Sequence, residues 1–164
     1  MIRIQTMDSP LGELTLAEEN GAIIGLWMQG QKYFPQLSEA LKEQSPVLSQ
    51  AEGWLKRYFD GQRPQMQELP LNPKGSPFCR EVWALLCRIP YGQTTSYAAL
   101  ASQIARSRGI PHMSAQAVGN AVGHNPISIL IPCHRVVGSS GQLTGYAGGL
   151  ERKKWLLNWE RNTK

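Results

Sequence analysis

The sequence has no long apolar run, and none approaches the roughly 18 residues that a membrane-spanning helix needs. Its first residues, Met1–Gln5, lack the charged and then apolar layout of a signal peptide, so we expect a soluble protein of the cytoplasm, or of the nucleus in a eukaryote. Charged residues are also few, at 18% against about 25% in typical globular proteins, while 41% of the residues are hydrophobic. This composition argues against disorder and is enough for a buried core.

Cysteine and histidine are scarce and scattered. The chain has three of each: Cys79, Cys87, Cys133, His112, His124 and His134. The odd number of cysteines and the lack of a Cys-x-x-Cys pair argue against a disulfide framework, and no histidines stand at metal-ligand spacing. We therefore expect no metal site, and we expect Cys79 and Cys87 to serve in packing.

Acidic residues are rare in the second half of the chain. Residues 75–164 hold ten Lys/Arg and three Asp/Glu, whereas residues 1–74 hold seven and nine. A basic half is typical of a protein that binds a polyanion such as nucleic acid, although it also serves solubility. Four prolines between residues 62 and 77 mark a linker where the charge balance changes. We predict two domains, 1–74 and 75–164.

The first half is predicted to be rich in β-structure. Apolar and polar residues alternate over residues 2–6 and 14–16, and residues 22–28 form a nearly continuous apolar run. Turn residues separate these segments at Asp8–Gly12 and at Asn20-Gly21, and the second of these is a strong hairpin signal.

Helix signals dominate the rest of the chain. Two helices are expected between residue 28 and Gly61, and the clearer one begins after Ser45-Pro46. The second half predicts three short helices in the manner of a helix-turn-helix: residues 77–89 capped by Ser76, a helix through Leu100 and Ile104 capped by Thr94, Thr95 or Ser96, and residues 115–122 capped by Ser114. A last helix is predicted over residues 151–161.

Cys133 stands where an apolar segment meets a proline. Residues 127–131 predict a short buried strand ending at Pro132, and five glycines between residues 138 and 149 predict a loop. A thiol on such a rigid element is a nucleophile only if its surroundings lower its pKa. A buried structural thiol is the alternative for Cys133 taken alone.

Two residues could activate that thiol. His134 could act as the base, although adjacent side chains on a strand point to opposite faces, so the contact would need a bent backbone or a bridging water. Glu160 could orient the histidine, because this carboxylate stands at the unfavourable end of its helix dipole and has no capping role there.

Four short motifs are spaced along the second half of the chain, and a fifth lies near the start of the first half. They are Gly123–Pro126, Ile131–Val136, Gly145–Leu150, Lys154–Leu157 and Asp8–Gly12. Together they closely resemble the O6-alkylguanine-DNA alkyltransferase family, over most of residues 75–161. The resemblance implies an α/β fold with a ribonuclease H-like N-terminal domain in a supporting role. It also implies a winged-helix-like C-terminal domain that binds DNA and holds the site.

The resemblance implies an activity and a set of catalytic residues. A monomer would bind the minor groove of double-stranded DNA and flip out O6-alkylguanine or O4-alkylthymine. The alkyl group would move directly and irreversibly to Cys133, once per molecule, so no cofactor would be needed. His134 would be the water-linked base and Glu160 the acid that orients it. Asn125 would hold the turn before the site, and Tyr97 would protonate N3 of the leaving guanine.

The resemblance also assigns contacts to the base and to DNA. The Val136 carbonyl would accept from the guanine amine, Tyr146 would wall the pocket, and the Ala147 N–H would face O6. Helix 115–122 would be the recognition helix, where small residues such as Ala117 and Gly119 allow either close approach to DNA or tight helix packing.

Two positions depart from the family pattern. Gln116 stands where many members carry an arginine that replaces the flipped base, and it lacks the charge and planar fork of that side chain. Arg106 or Arg108 is the alternative for this role. Ser128 stands where some relatives have proline beside the alkyl pocket, which would change the alkyl groups that fit.

Three other functions compete. A non-catalytic sensor of alkylated DNA would not need Cys133, His134 and Glu160. A cysteine hydrolase would need an oxyanion hole and would leave the basic half unexplained. A transcription factor would need more base-reading side chains than Gln116 and Asn120 on the third helix.

Overall fold

The first part of the chain forms a four-stranded sheet with a helix packed on it. The computed structural model describes residues 1–163. The elements are β1 (Ile2–Met7), β2 (Leu14–Glu19), β3 (Ala22–Met28), β4 (Leu41–Lys42) and α1 (Pro46–Phe59), with sheet order β3-β2-β1-β4. The first three strands pair antiparallel, and β4 joins β1 in parallel.

The β2–β3 hairpin confirms the turn predicted at Asn20-Gly21. Both residues take positive φ values, 54° and 81°, which Asn and Gly adopt at low cost in tight hairpin turns. The start of α1 is confirmed as well. The Ser45 side chain accepts from the Leu48 N–H, and Pro46 occupies the first turn, where its missing N–H removes no helical hydrogen bond.

The second helix expected between β3 and α1 is absent, so this prediction is wrong. Residues 29–40 form turns, with positive φ values of 79° at Gly30 and 61° at Tyr33. The Gln31 side chain accepts from the Met28 N–H and donates to the Lys32 carbonyl. Such local side-chain bonds offer the backbone an alternative to a helix.

The second part of the chain is mainly helical, and the mixed α/β class is confirmed. Its elements are α2 (Pro77–Leu86), β5 (Thr95–Ser96), α3 (Tyr97–Arg108), α4 (Ala115–Gly123), β6 (Val136–Val137) and α5 (Leu150–Asn162), with β5 and β6 parallel. Ser76, Ser96 and Ser114 cap α2, α3 and α4, each accepting a backbone N–H. Both α2 and α3 pack on α4.

One apolar core continues through both parts of the chain. The outer edge of β3 extends this contact: the Leu26 N–H donates to the Pro126 carbonyl at 2.9 Å, and the Ser128 N–H donates to the Leu26 carbonyl at 3.1 Å. The turn that precedes Cys133 is therefore attached to the first sheet. Cys79 and Cys87 are half-buried and pack against the core, as expected.

The strand predicted at residues 127–131 is wrong, because the segment is a buried turn. Ile129 has a φ of 70°, and the Ile131 N–H donates back to the Ile127 carbonyl at 2.9 Å. A β-branched residue is strained at positive φ, so the surroundings must hold it there. The Asn125 side chain does so: it accepts from the Ile127 N–H at 3.0 Å and donates to the Ile131 carbonyl at 2.8 Å.

Two kinds of feature are missing from residues 1–163. No helix there is long and apolar enough to cross a membrane. No group of three or more His, Cys, Asp or Glu side chains in this range is placed to hold a metal ion.

Candidate active site around Cys133

Cys133 begins a single 3₁₀ turn instead of ending a strand. The turn, Cys133–Arg135, follows Pro132, and the Cys133 N–H donates to the Ile131 carbonyl at 2.8 Å. Successive side chains of a helical turn fan around its axis, so Cys133 and His134 are not forced to opposite faces as on a strand. The Cys133 side chain is nearly buried, with 5% exposed, and His134 is fully buried.

His134 and Glu160 form a buried pair. Nε2 of His134 lies 2.7 Å from Oε2 of Glu160 on α5. Because an ionised carboxylate only accepts hydrogen bonds, Nε2 carries the hydrogen and the ring lone pair is on Nδ1. Within residues 1–163, this buried Nδ1 has no hydrogen-bond partner. It is the basic atom that the turn offers to the neighbouring thiol.

Four further hydrogen bonds hold the Glu160 carboxylate. Arg135 donates from Nε to Oε1 at 2.8 Å and from Nη2 to Oε2 at 3.0 Å, the Gly92 N–H donates to Oε1 at 3.2 Å, and the Tyr58 hydroxyl donates to Oε2 at 2.6 Å. Burial alone would raise the pKa of Glu160, but His134 and Arg135 hold that pKa well below its usual range. The carboxylate therefore stays ionised.

The resting site holds a neutral thiol beside a neutral imidazole. Burial raises the pKa of Cys133, and the nearby Asn125, Lys153 and Tyr146 oppose that increase. Burial lowers the pKa of His134, although Glu160 acts in the opposite direction. At neutral pH the imidazole is then free to accept a proton, and the thiol still carries one to give.

Lys153 belongs to the site, and our sequence analysis missed it. Its side chain is fully buried on α5, and Nζ donates to the Thr144 carbonyl at 3.0 Å, which ties the glycine-rich loop to the helix. Burial lowers the pKa of Lys153 to about 8, whereas Cys133 raises it. The spacing could have indicated this position, because Lys153 and Glu160 are two helical turns apart and share one face of α5.

A cavity of about 580 Å³ lies beside the buried site, within the size range of small-molecule pockets. Five residues predicted for base or DNA contacts or catalysis line it: Tyr97, Gln116, Gly119, Tyr146 and Ala147. The Thr144 hydroxyl donates to the Tyr97 hydroxyl at 2.8 Å. Two other lining residues, Lys32 and Tyr33, come from the loop after β3, and no sequence pattern pointed to them.

Other predicted residues lie elsewhere. Val136 is buried and pairs with Thr95 in the β5–β6 sheet. Ser128 is buried in the turn that Asn125 holds. Ala117 is half-buried in the first turn of α4, and Arg108 is paired with Glu81 at the end of α3, outside the residues that line the cavity.

Two family models match almost the whole chain. The model described as 6-O-methylguanine DNA methyltransferase, ribonuclease-like domain, matches residues 2–73. The model described as 6-O-methylguanine DNA methyltransferase, DNA binding domain, matches residues 77–162.

Two curated relatives are methylated-DNA–protein-cysteine methyltransferases. The methylated-DNA–protein-cysteine methyltransferase of Mycolicibacterium paratuberculosis is 46% identical over 161 residues, which cover 98% of this chain and 93% of the relative. The constitutive methylated-DNA–protein-cysteine methyltransferase of Bacillus subtilis is 39% identical over 160 residues, covering 95% and 93%.

Solved structures show the same likeness. The O6-methylguanine methyltransferase of Mycobacterium tuberculosis has a TM-score of 0.88 and 42% identity, with 100% of this chain and 95% of that chain covered. A complex of the M. tuberculosis protein OGT with DNA has a TM-score of 0.86 and 40% identity, with 98% and 94% covered.

Proposed function

The chain belongs to the 6-O-methylguanine DNA methyltransferase family, whose reaction repairs DNA by moving an alkyl group from DNA to a protein cysteine, and on this premise we propose that Cys133 is the cysteine that accepts the group from the O6 atom of guanine. The observation that carries this assignment is the buried His134–Glu160 pair, which leaves Nδ1 of His134 as a base in the turn that Cys133 begins. Cys79 lies in α2 and Cys87 ends that helix, so neither belongs to the turn that holds His134.

The proposed reaction is a single displacement. The Cys133 sulfur attacks the alkyl carbon, a carbon–sulfur bond forms, and the bond from that carbon to O6 breaks with its electron pair going to guanine. His134 accepts the thiol proton, relayed by water. The Tyr97 hydroxyl supplies a proton to N3 of the leaving base. The proton that His134 accepted then passes to the Tyr97 oxygen and restores the hydroxyl. General acid help of this kind contributes roughly 10²–10⁴-fold.

Tyr97 is suited to that acid role. Burial raises the pKa of Tyr97, so its hydroxyl keeps a proton at neutral pH. It lines the cavity together with Tyr146, and an aromatic ring at each position suits a planar base. The cavity would thus receive a nucleotide flipped out of the duplex, since O6 is not accessible to a buried thiol while the base is stacked.

The DNA surface is proposed to be α4 and the mouth of the cavity. The first turn of α4 supplies Ala115 and Gln116 to the cavity lining, and its next turn supplies Gly119. Small side chains let a helix backbone come close to the minor groove. Residues 1–74 are proposed as a supporting domain and residues 75–164 as the domain that carries the site. A monomer suffices, because one chain contributes every proposed catalytic residue.

The test is stoichiometric transfer. We expect intact-mass measurement after mixing with a duplex bearing O6-methylguanine to show one added methyl group per protein, located by peptide mapping at Cys133. The same duplex with unmodified guanine is the control. A thioether has no route to hydrolysis in this site, so transfer stops at one group per molecule. Tight binding without a mass change would instead establish the non-catalytic sensor, and sustained turnover would refute the mechanism.

Gln116 is the better candidate to fill the gap left by the flipped base. It is exposed at the cavity, whereas Arg108 is engaged with Glu81. We expect Gln116→Ala to weaken binding of an O6-methylguanine duplex by about tenfold, the value of one lost hydrogen bond. Arg108→Ala is the control and should change affinity far less. Anisotropy titrations in a Cys133→Ala background, which prevents transfer, measure both. A larger loss for Arg108→Ala would reverse the assignment.

A further inference from the structure

One residue of the first half reaches the catalytic carboxylate. The Tyr58 hydroxyl, on α1, donates to Oε2 of Glu160 at 2.6 Å across a sequence separation of 102 residues. That oxygen is also the one that accepts from Nε2 of His134. Tyr58 is only 1% exposed, and the Trp159 indole N–H donates to the Tyr58 carbonyl at 3.0 Å, which fixes α1 against α5 at this point.

We propose that Tyr58 is a positioning residue for alkyl transfer: its hydroxyl fixes Oε2 of Glu160 and limits the pull of that carboxylate on the imidazole, so a residue of the first half helps to set the base strength of His134. This inference rests on the proposed function. It gives α1 a part in the chemistry that the sequence did not indicate, because the helical pattern there predicts only packing.

Packing alone does not require the hydroxyl. The Tyr58 ring stacks on Trp54 at a centroid distance of 5.7 Å and meets Phe59 and Tyr91 edge-on at 5.1 and 6.0 Å. Phenylalanine could make all three ring contacts without burying a polar group. Burial and the charge of Glu160 raise the pKa of Tyr58 well above its usual value, so the hydroxyl remains a neutral donor.

The charges around His134 determine the sign of the effect. Glu160 and Lys153 face it from α5, Arg135 and Cys133 belong to its own turn, and Tyr58 acts on Glu160 from α1, next to Tyr91. Glu160 raises the pKa of His134, while burial, Arg135 and Lys153 lower it. Loss of the Tyr58 donor leaves more of the carboxylate charge for the imidazole. The pKa of His134 then rises, and a larger fraction of the base is already protonated at a given pH.

The test is the pH dependence of single-turnover methyl transfer by Tyr58→Phe. Since transfer needs neutral His134, we expect the acid limb of the rate profile to move to higher pH by about half a unit to one unit, with little change on the alkaline plateau. Tyr91→Phe is the matched control: its hydroxyl pairs with Thr163, not with Glu160, and its profile should overlay that of the parent protein.

A second variant has the opposite expected sign. Site-specific replacement of Tyr58 by 3-fluorotyrosine keeps the ring and makes the hydroxyl a stronger donor, so the acid limb should move to lower pH. A purely structural role would not produce shifts of opposite sign. Superimposable profiles for both variants, or an equal rate loss at every pH together with a lower melting temperature, would overturn the inference.

A third measurement separates this inference from the proposed function. The rate at which iodoacetamide alkylates Cys133, followed by peptide mass in the absence of DNA, reports the same base. We expect its acid limb to shift in Tyr58→Phe as the transfer profile does, and an unshifted limb would overturn the inference. If the parent protein transfers no methyl group, the proposed function fails whatever this profile shows. If the parent transfers normally and neither profile of the variant shifts, only the role of Tyr58 fails.

Discussion

Replacing Cys133 by alanine should abolish methyl transfer from O6-methylguanine and leave DNA binding and folding intact. The thiol is the only atom of this residue that the proposed reaction uses, and only 5% of the residue is exposed, so it offers little contact area to DNA. Removal of one buried sulfur should cost about 1 kcal/mol of unfolding free energy. Intact mass, duplex affinity and thermal unfolding measure the three quantities separately.

The matched controls are Cys79→Ala and Cys87→Ala. Neither thiol is expected to replace Cys133, because Cys79 lies in α2 and Cys87 ends that helix, outside the turn that holds His134. Burial also raises the pKa of Cys87 to about 11. Both controls should therefore transfer one methyl group at the parent rate. Any methyl group found on the Cys133→Ala protein would show that the acceptor has been misassigned.

Replacing Glu160 by glutamine should damage both catalysis and stability. The amide must place a donor NH₂ against either His134 or Arg135, and its neutral oxygen accepts from Nε2 of His134 more weakly than the carboxylate does. We expect the single-turnover rate to fall by about 10²–10⁴, the usual contribution of a positioned base. Leaving the buried Arg135 charge without its partner should lower the unfolding free energy by about 3–5 kcal/mol.

Two comparisons test that explanation. Glu151→Gln changes an exposed carboxylate in the first turn of α5 and should alter the transfer rate little. A Glu160→Gln protein that transfers at the parent rate would show that His134 does not depend on the carboxylate.

The acid dependence of stability should also differ between the parent and Glu160→Gln proteins. Because folding lowers the pKa of Glu160, its stabilising effect is complete well above about pH 4.3, the unfolded value, and is lost as pH falls through the folded pKa. The parent should therefore lose more unfolding free energy on acidification than Glu160→Gln does. Chemical denaturation at a series of pH values measures this, and parallel curves would contradict it.

Local sequence was enough to predict those turns and helix starts that depend only on neighbouring residues in the chain. The hairpin at Asn20-Gly21 and the helix starts at Ser45, Ser76 and Ser114 are confirmed, because positive φ values and capping bonds are decided within a few residues. Apolar periodicity was misleading at residues 127–131. There the pattern indicated burial correctly, but the hydrogen bonds of Pro126 and Ser128 with Leu26, together with those of the Asn125 side chain, impose a turn.

Sequence by itself identified the family, because its spaced motifs depend only on residue identity and spacing, and the resemblance then implied the fold class and the candidate thiol, histidine and acid. Only the tertiary structure decided which atoms meet. It placed Tyr58, Arg135 and Lys153 around the proposed catalytic groups, and within residues 1–163 it left Nδ1 of His134 without a hydrogen-bond partner. Side chains a hundred residues apart are joined by the packing of α1 on α5 and of the turn on β3. Burial and the neighbouring charges there set their pKa values, which no local pattern encodes.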